Sequence, residues 1–249
     1  MTKTVRLAPT FAAMSNKRQQ AGPAQKPAQK PAQKPAARRR FDDIPGAPVD
    51  QDDPLFFYGH ARGRPFREFS QWTLSSFSVS KTRIAEITLA DGPKAVEGLT
   101  EILSFGCAEQ FMMFCKAVRF GDRDIQRRIL DNPDPSKQKA LGKRVSNFTK
   151  EGWDAVKSAV VEEGSYHKFQ QNPLFKRVLL TTGDRLLVEA APRDRIWGIG
   201  FGATNAPNRR AKWGQNRLGW ALMHARALLR AEEEREEKRA EDEQADEDW

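Results

Sequence analysis

The stretch from Gly106 to Val118, GCAEQFMMFCKAV, sets a glutamate and a lysine inside a run that otherwise reads as apolar. At about 100° per residue, Cys107, Phe111, Phe114 and Val118 share one arc, the i, i+4, i+7, i+11 spacing of a core-facing helix stripe. Glu109 and Lys116 fall on the opposite side, two turns apart, with Met112 and Met113 between them. Two readings of that second face stay open. It is an ordinary solvated face, or it is the wall of a cleft, where polarisable methionines surround a carboxyl and an amine. In a cleft, partial desolvation raises the carboxyl pKa and lowers that of the amine, as acid/base or nucleophilic work requires.

Working outward, the periodicity predicts helices over about 107–120, 122–131, 136–146, 150–170 and 173–182, the last with Asn172 as cap and Pro173 at its first position. Upstream, PLFFYG (54–59), WTLSSFSV (72–79) and RIAEITLA (83–90) are short, aromatic or β-branched, and bounded by turn residues, so strands are expected there. RLLVEA (185–190) reads as another strand. A final helix from about Asn216 runs past Arg230 into an acidic extension without an apolar stripe, expected to be solvated and fraying. The expected fold is α+β, a predominantly helical single domain over residues 54–229. A disordered basic arm (1–50) precedes it and an acidic, charged helical tail (230–249) follows.

Charge supports that division. Residues 1–40 hold ten Lys or Arg and no acid, and 230–249 hold four basic and eleven acidic residues. This leaves 28 basic and 22 acidic residues between, so the middle is only mildly basic and the high pI reflects the arm. The repeat AQKPAQKPAQKP (24–35) cannot bury apolar area and reads as an extended tail, suited at most to weak electrostatic contact with nucleic acid. The acid-free start with Arg6, Lys17 and Arg18 has the composition of a transit peptide. The simple basic repeat after it favours an intracellular, cytoplasmic setting, with nucleus and mitochondrion as alternatives.

No apolar run reaches the ~20 residues of a membrane span, so no membrane contact is expected. Cys107 and Cys115, eight residues apart on one helix, would have Cα atoms about 12 Å apart, too far for a disulfide. His60, His167 and His224 show no ligand spacing, and neither metal nor cofactor is expected.

EQFMMFCK (109–116) resembles the E-h-x-x-x-x-x-K segment of the NADAR family (NAD- and ADP-ribose-associated), which includes riboflavin-intermediate N-glycosidases. The resemblance continues through KALGKR (139–144), the helix from Trp153, NPLFKRVLLTTGDRLLVEA (172–190), DRIWG (194–198) and GQNRLGWALMHAR (214–226). An early F-S-N-F element of the family stands here as FREF (66–69), and the segments 73–106 and 200–213 are longer than in compact members. Such enzymes cleave an N-glycosidic bond between ribose and an amine, on phosphorylated ribosylaminopyrimidines or on ADP-ribosylated guanine. A third reading, from another class, is a non-catalytic module binding ADP-ribose or nucleic acid, against which the intact Glu109 and Lys116 argue.

The resemblance implies Glu109 as proton shuttle and Lys116 either as a Schiff-base nucleophile or as a fixed charge. Asp194 is a second acid/base group or a turn cap. Trp197 is a stacking platform or a core tryptophan at a turn. Asn216 caps the last helix or, with Gly214, presents amides to a phosphate. Lys143 and Arg144 are candidate phosphate ligands or a surface charge pair. Tyr58, Phe69, Glu189 and Gly198 complete the expected substrate-binding set.

Overall fold

The computed structural model describes residues 50–90 and 93–247. The predicted disorder of the basic arm, its nucleic-acid contact and the transit-peptide composition concern residues up to 49 and lie outside those described. The first described strand starts at Asp50, ahead of the strand expected from Pro54.

Strand β1 (Asp50–Phe57) pairs in parallel with β4 (Arg185–Glu189), placing Leu55 opposite Leu187 and Phe57 opposite Glu189. The register is irregular between Asp50 and Leu55, where Pro54 has no N–H to give the ladder. Strands β2 (Phe77–Ser80) and β3 (Ile102–Phe105) form a separate antiparallel pair. Their alternation turns Phe77, Val79, Leu103 and Phe105 inward, so that the rings of Phe77 and Phe105 meet Phe111 edge-on.

Eight helices surround these strands among the described residues: α1 (Lys81–Thr88), α2 (Ala108–Arg119), α3 (Arg123–Leu130), α4 (Pro135–Gly142), α5 (Lys150–Asp154), α6 (Lys157–Gln170), α7 (Pro173–Leu180) and α8 (Arg217–Glu247). The fold is α+β and predominantly helical. Helix α2 lies at its centre, touched by α1, α3, α4, α5, α6 and β3. Ten of its twelve residues are buried, including Glu109, Met112 and Met113, while Lys116 and Arg119 are part-buried. The solvated-face reading of Glu109 and Lys116 is thereby overturned: both sides of this helix are covered.

Five further expectations are corrected. Asn172 does not cap α7 with its side chain, which donates instead to the carbonyls of Ser76 and Lys168. RIAEITLA is α1, not a strand: Ser80 accepts the Arg83 N–H at its start, and Ile84, Ile87 and Thr88 are buried at helical spacing. WTLSSFSV contributes only its last three residues to a strand. The β3 strand was not anticipated at all. The long helix over 150–170 breaks at Ala155–Val156 into α5 and α6. In α8, Leu218, Leu222, Ala225 and Leu229 form the buried stripe, and beyond Arg230 the side chains are largely exposed. Glu232, which accepts from the Tyr166 hydroxyl at 2.6 Å, and Glu233, paired with Lys176 at 2.9 Å, hold the first turn of the extension to the domain.

Candidate active site

The chain enters α2 through Cys107, in extended conformation, so Glu109 falls in the first helical turn. Its backbone N–H is one of the unpaired donors of a helix start and is taken by the Gln71 carbonyl at 2.9 Å. The next residue of that loop, Trp72, donates its side-chain hydrogen bond to the Glu109 carboxyl. The Trp72 ring also has Lys139 Nζ 5.6 Å and the His60 ring 5.4 Å from its centroid. Glu109 is 3% exposed, and its Oε1 is buried with no hydrogen-bond partner among the described residues. Burial raises its pKa to about 7, against the opposing pull of the Lys139 charge and the Trp72 hydrogen bond. A carboxyl so placed is half-protonated near neutrality and lacks a partner that a ligand would supply.

Glu189 ends β4 from the other side. Burial, the neighbouring Asp194 charge, and the charge of Glu109 raise its pKa to about 8, opposed by Lys139. Its Oε2 is likewise buried and without a partner among the described residues. The frame around it is rigid. Asn216 accepts the Glu189 N–H at 2.9 Å and donates to the Leu187 carbonyl at 2.8 Å, and the Glu189 carbonyl accepts from Ile199 N–H at 3.0 Å. Gly198 must be glycine, because a Cβ there would stand 2.6 Å from the Glu189 carbonyl oxygen.

These bonds redefine several expected roles. Asn216 uses its side chain to clamp β4, and the amides of Gly214 and Asn216 go to the carbonyls of Ile199 and Gly198, so neither is directed at a phosphate. Gly214 serves close backbone packing, since a Cβ would meet Arg195 O at 2.5 Å. Asp194 takes the turn-cap role, its Oδ1 accepting from the N–H groups of Ile196 and Trp197 at 2.8 Å each. Phe69 is fully buried among Phe57, Phe66 and Phe169, a core residue rather than a substrate contact. Tyr58, Lys143 and Arg144 are exposed, and Trp197 is part-buried beside the Asp194 turn.

Lys116 is not drawn to Glu109. Seven residues of helix separate their backbones by about 10 Å, and its ammonium donates to the Gly142 carbonyl at 2.8 Å and sits 4.2 Å from the centre of the Phe148 ring. Burial lowers its pKa.

Three contributing residues went unnoticed in the sequence. Trp72 reads there as a strand aromatic, and Lys139 as one more lysine of a polar helix. Lys168 lies 1% exposed in α6 beside the rings of Phe169 and Phe175 and donates to the Ser70 carbonyl at 2.8 Å, anchoring the loop that carries Gln71 and Trp72. Burial lowers its pKa to about 7, against the nearby Cys107 and Glu68. A lysine in a helical pattern carries no signal of burial; the spacing of Lys168 next to Phe169 is the nearest thing to one. Cys107 and Cys115 are both buried, free thiols. No helix of the described residues is long and apolar enough to cross a membrane.

With this geometry in place, three similarities bear on it. Over 181 residues the chain is 37% identical to N-glycosidase R617 of Acanthamoeba polyphaga mimivirus, covering 72% of this chain and 97% of that protein. N-glycosidase YbiA of Escherichia coli is 29% identical over 119 residues, covering 48% of this chain and 69% of that protein. The NMR structure of the E. coli protein YbiA shares the fold with a TM-score of 0.53 at 23% identity, covering 76% of this chain and 92% of that one. The chain is an enzyme of the N-glycosidase class. The NADAR domain matches residues 56–230, and the chain belongs to that family.

Proposed function

We propose that this enzyme hydrolyses the N-glycosidic bond of a phosphorylated ribosylamine, of the ribosylaminopyrimidine type found among riboflavin intermediates, with Glu109 as its acid/base group. The observation that carries this is the state of Glu109: buried, bonded by Trp72, raised to about 7, and left with one oxygen unpartnered among the described residues. Breaking a ribose–amine bond through an oxocarbenium-like transition state asks for a proton at the leaving nitrogen and removal of one from water. A carboxyl poised near neutral pH does either. In this reading the phosphate falls to the α4 side, to Lys139, Lys143 and Arg144, and Trp197 serves as the stacking residue for the base.

Lys116 supplies the covalent form of the reaction. A ribosylamine opened to its imine exchanges its amine for the lysine Nζ, giving a Schiff base that water hydrolyses. The half-buried setting that lowers the Lys116 pKa favours the neutral amine this needs.

The test is incubation with the phosphorylated ribosylaminopyrimidine and, separately, with an ADP-ribosylated guanine oligonucleotide, scoring free base and sugar. Release from the first substrate supports the reading; release from the second alone transfers the activity to ADP-ribosyl hydrolysis, and release from neither removes both. Borohydride added during turnover should leave a stable adduct on Lys116, and its absence would eliminate the covalent step.

A further inference from the structure

Two carboxyls with buried oxygens in this molecule, on elements far apart in sequence, share an electrostatic neighbourhood. Glu109 opens α2 and Glu189 closes β4; each feels the Lys139 charge, and Glu189 also feels Glu109. Each leaves one buried oxygen, Glu109 Oε1 and Glu189 Oε2, without a hydrogen-bond partner among the described residues. Such groups are rare in folded proteins and costly to leave unpaired. Two unpartnered buried oxygens in the field of one lysine point to a ligand that completes both.

We infer that Glu189 is a second catalytic carboxyl, the general acid that protonates the leaving nitrogen while Glu109 acts as the base on water. This rests on the N-glycosidase reading and divides between two residues the proton handling given there to one. Glu189 holds its proton to higher pH because burial disfavours its charged form and the charges of Asp194 and Glu109 face it, against the opposing pull of Lys139. Its backbone is pinned on both sides by Asn216, Ile199 and Gly198, the support a general acid needs to keep its aim.

The step balances. The C1–N bond breaks with its electron pair remaining on nitrogen, which takes the Glu189 proton. A water oxygen bonds to C1 and gives a proton to the Glu109 carboxylate. The products are the free amine and the free sugar phosphate. Transfer of the proton from Glu109 to Glu189, directly or through solvent, restores both groups.

The experiment is the pH profile of kcat/KM for base release by the full chain and by Glu109→Gln and Glu189→Gln. A base that must be ionised makes the wild-type rate rise through about pH 7, and an acid that must be protonated makes it fall through about pH 8. Glu189→Gln should lower the rate by ~10²–10⁴-fold and remove the alkaline limb from what remains, whereas Glu109→Gln should remove the acid limb. Glu189→Asp, which keeps a carboxyl, should retain both limbs at a reduced rate and provides the comparison if the amide variant fails to fold. Unchanged activity in Glu189→Gln, a residual rate that keeps its alkaline limb, or a Glu189→Asp profile without that limb overturns the inference and leaves the N-glycosidase reading standing. A wild-type enzyme that releases no base from either substrate overturns the reading beneath it.

Discussion

At the level of single residues, the site depends on burial outweighing the forces that would ionise Glu109. It sits in the first turn of α2, where the helix dipole favours a negative charge, and both Lys139 and Trp72 push the same way. Desolvation wins, so removing one opposing group should show. Lys139→Met should move the pKa values of Glu109 and Glu189 upward together, read as an alkaline displacement of both limbs of the pH–rate profile; a displacement of one limb alone would mean that the two carboxyls do not share that cation. Glu109 was legible from sequence as a candidate, through its place opposite the Cys107–Phe111–Phe114–Val118 stripe and through family resemblance. Its burial was not, because periodicity within α2 cannot reveal that α4 and the Trp72 loop cover the second face. Trp72 and Lys139 were illegible for the same reason: they lie 37 residues before and 30 residues after Glu109, and nothing local marks their meeting.

At the level of elements, the close approach of α2 and α4 sets where Lys116 is held. A Cβ on Gly142 would lie 2.0 Å from Met113 Sδ and 3.0 Å from its Cγ. Met113 is itself buried and has little room to yield. Gly142→Ala should therefore destabilise the protein by about 1–3 kcal/mol in denaturant unfolding, and the same substitution should cost much less when made in a Met113→Ala background. Additive losses in the double variant would show that the contact is not the cause. The lysine end of α2 should respond too, since Gly142 supplies the carbonyl that receives Lys116 Nζ. Helices α2, α3 and α7 were readable from their apolar spacing, helped by the Asp122 cap of α3 and by Pro173 in the first turn of α7. RIAEITLA misled because its β-branched residues suit a strand, whereas Ile84, Ile87 and Thr88 also fit one helix face and Ser80 caps its start. The four residues of β3 escaped notice since Ile102 is exposed, and only Leu103 and Phe105 alternate inward.

At the level of the whole molecule, three buried titratable groups tie stability to pH. Glu109 and Glu189 have folded pKa values above the ordinary carboxyl value, so their contribution is greatest below about pH 4.3 and declines as pH rises through about 7 to 8. Lys168 is the reverse. Its folded pKa of about 7 lies below the ordinary ~10.4, so stability is regained as pH climbs between those values. Melting temperatures measured from pH 5 to 10 should fall and then recover, relative to variants lacking these groups. Glu109→Gln and Glu189→Gln should flatten the descending side and Lys168→Met the ascending side; curves parallel to wild type would refute the assignment. The measurement that bears most directly on function is simpler. The protein and its Glu109→Gln variant are incubated at pH 7.5 with a phosphorylated ribosylaminopyrimidine, and released base is quantified by chromatography. Release by wild type, with a ~10²–10⁴-fold loss in a variant that remains folded at that pH, is the expected result; equal release by both, or none by wild type, contradicts it.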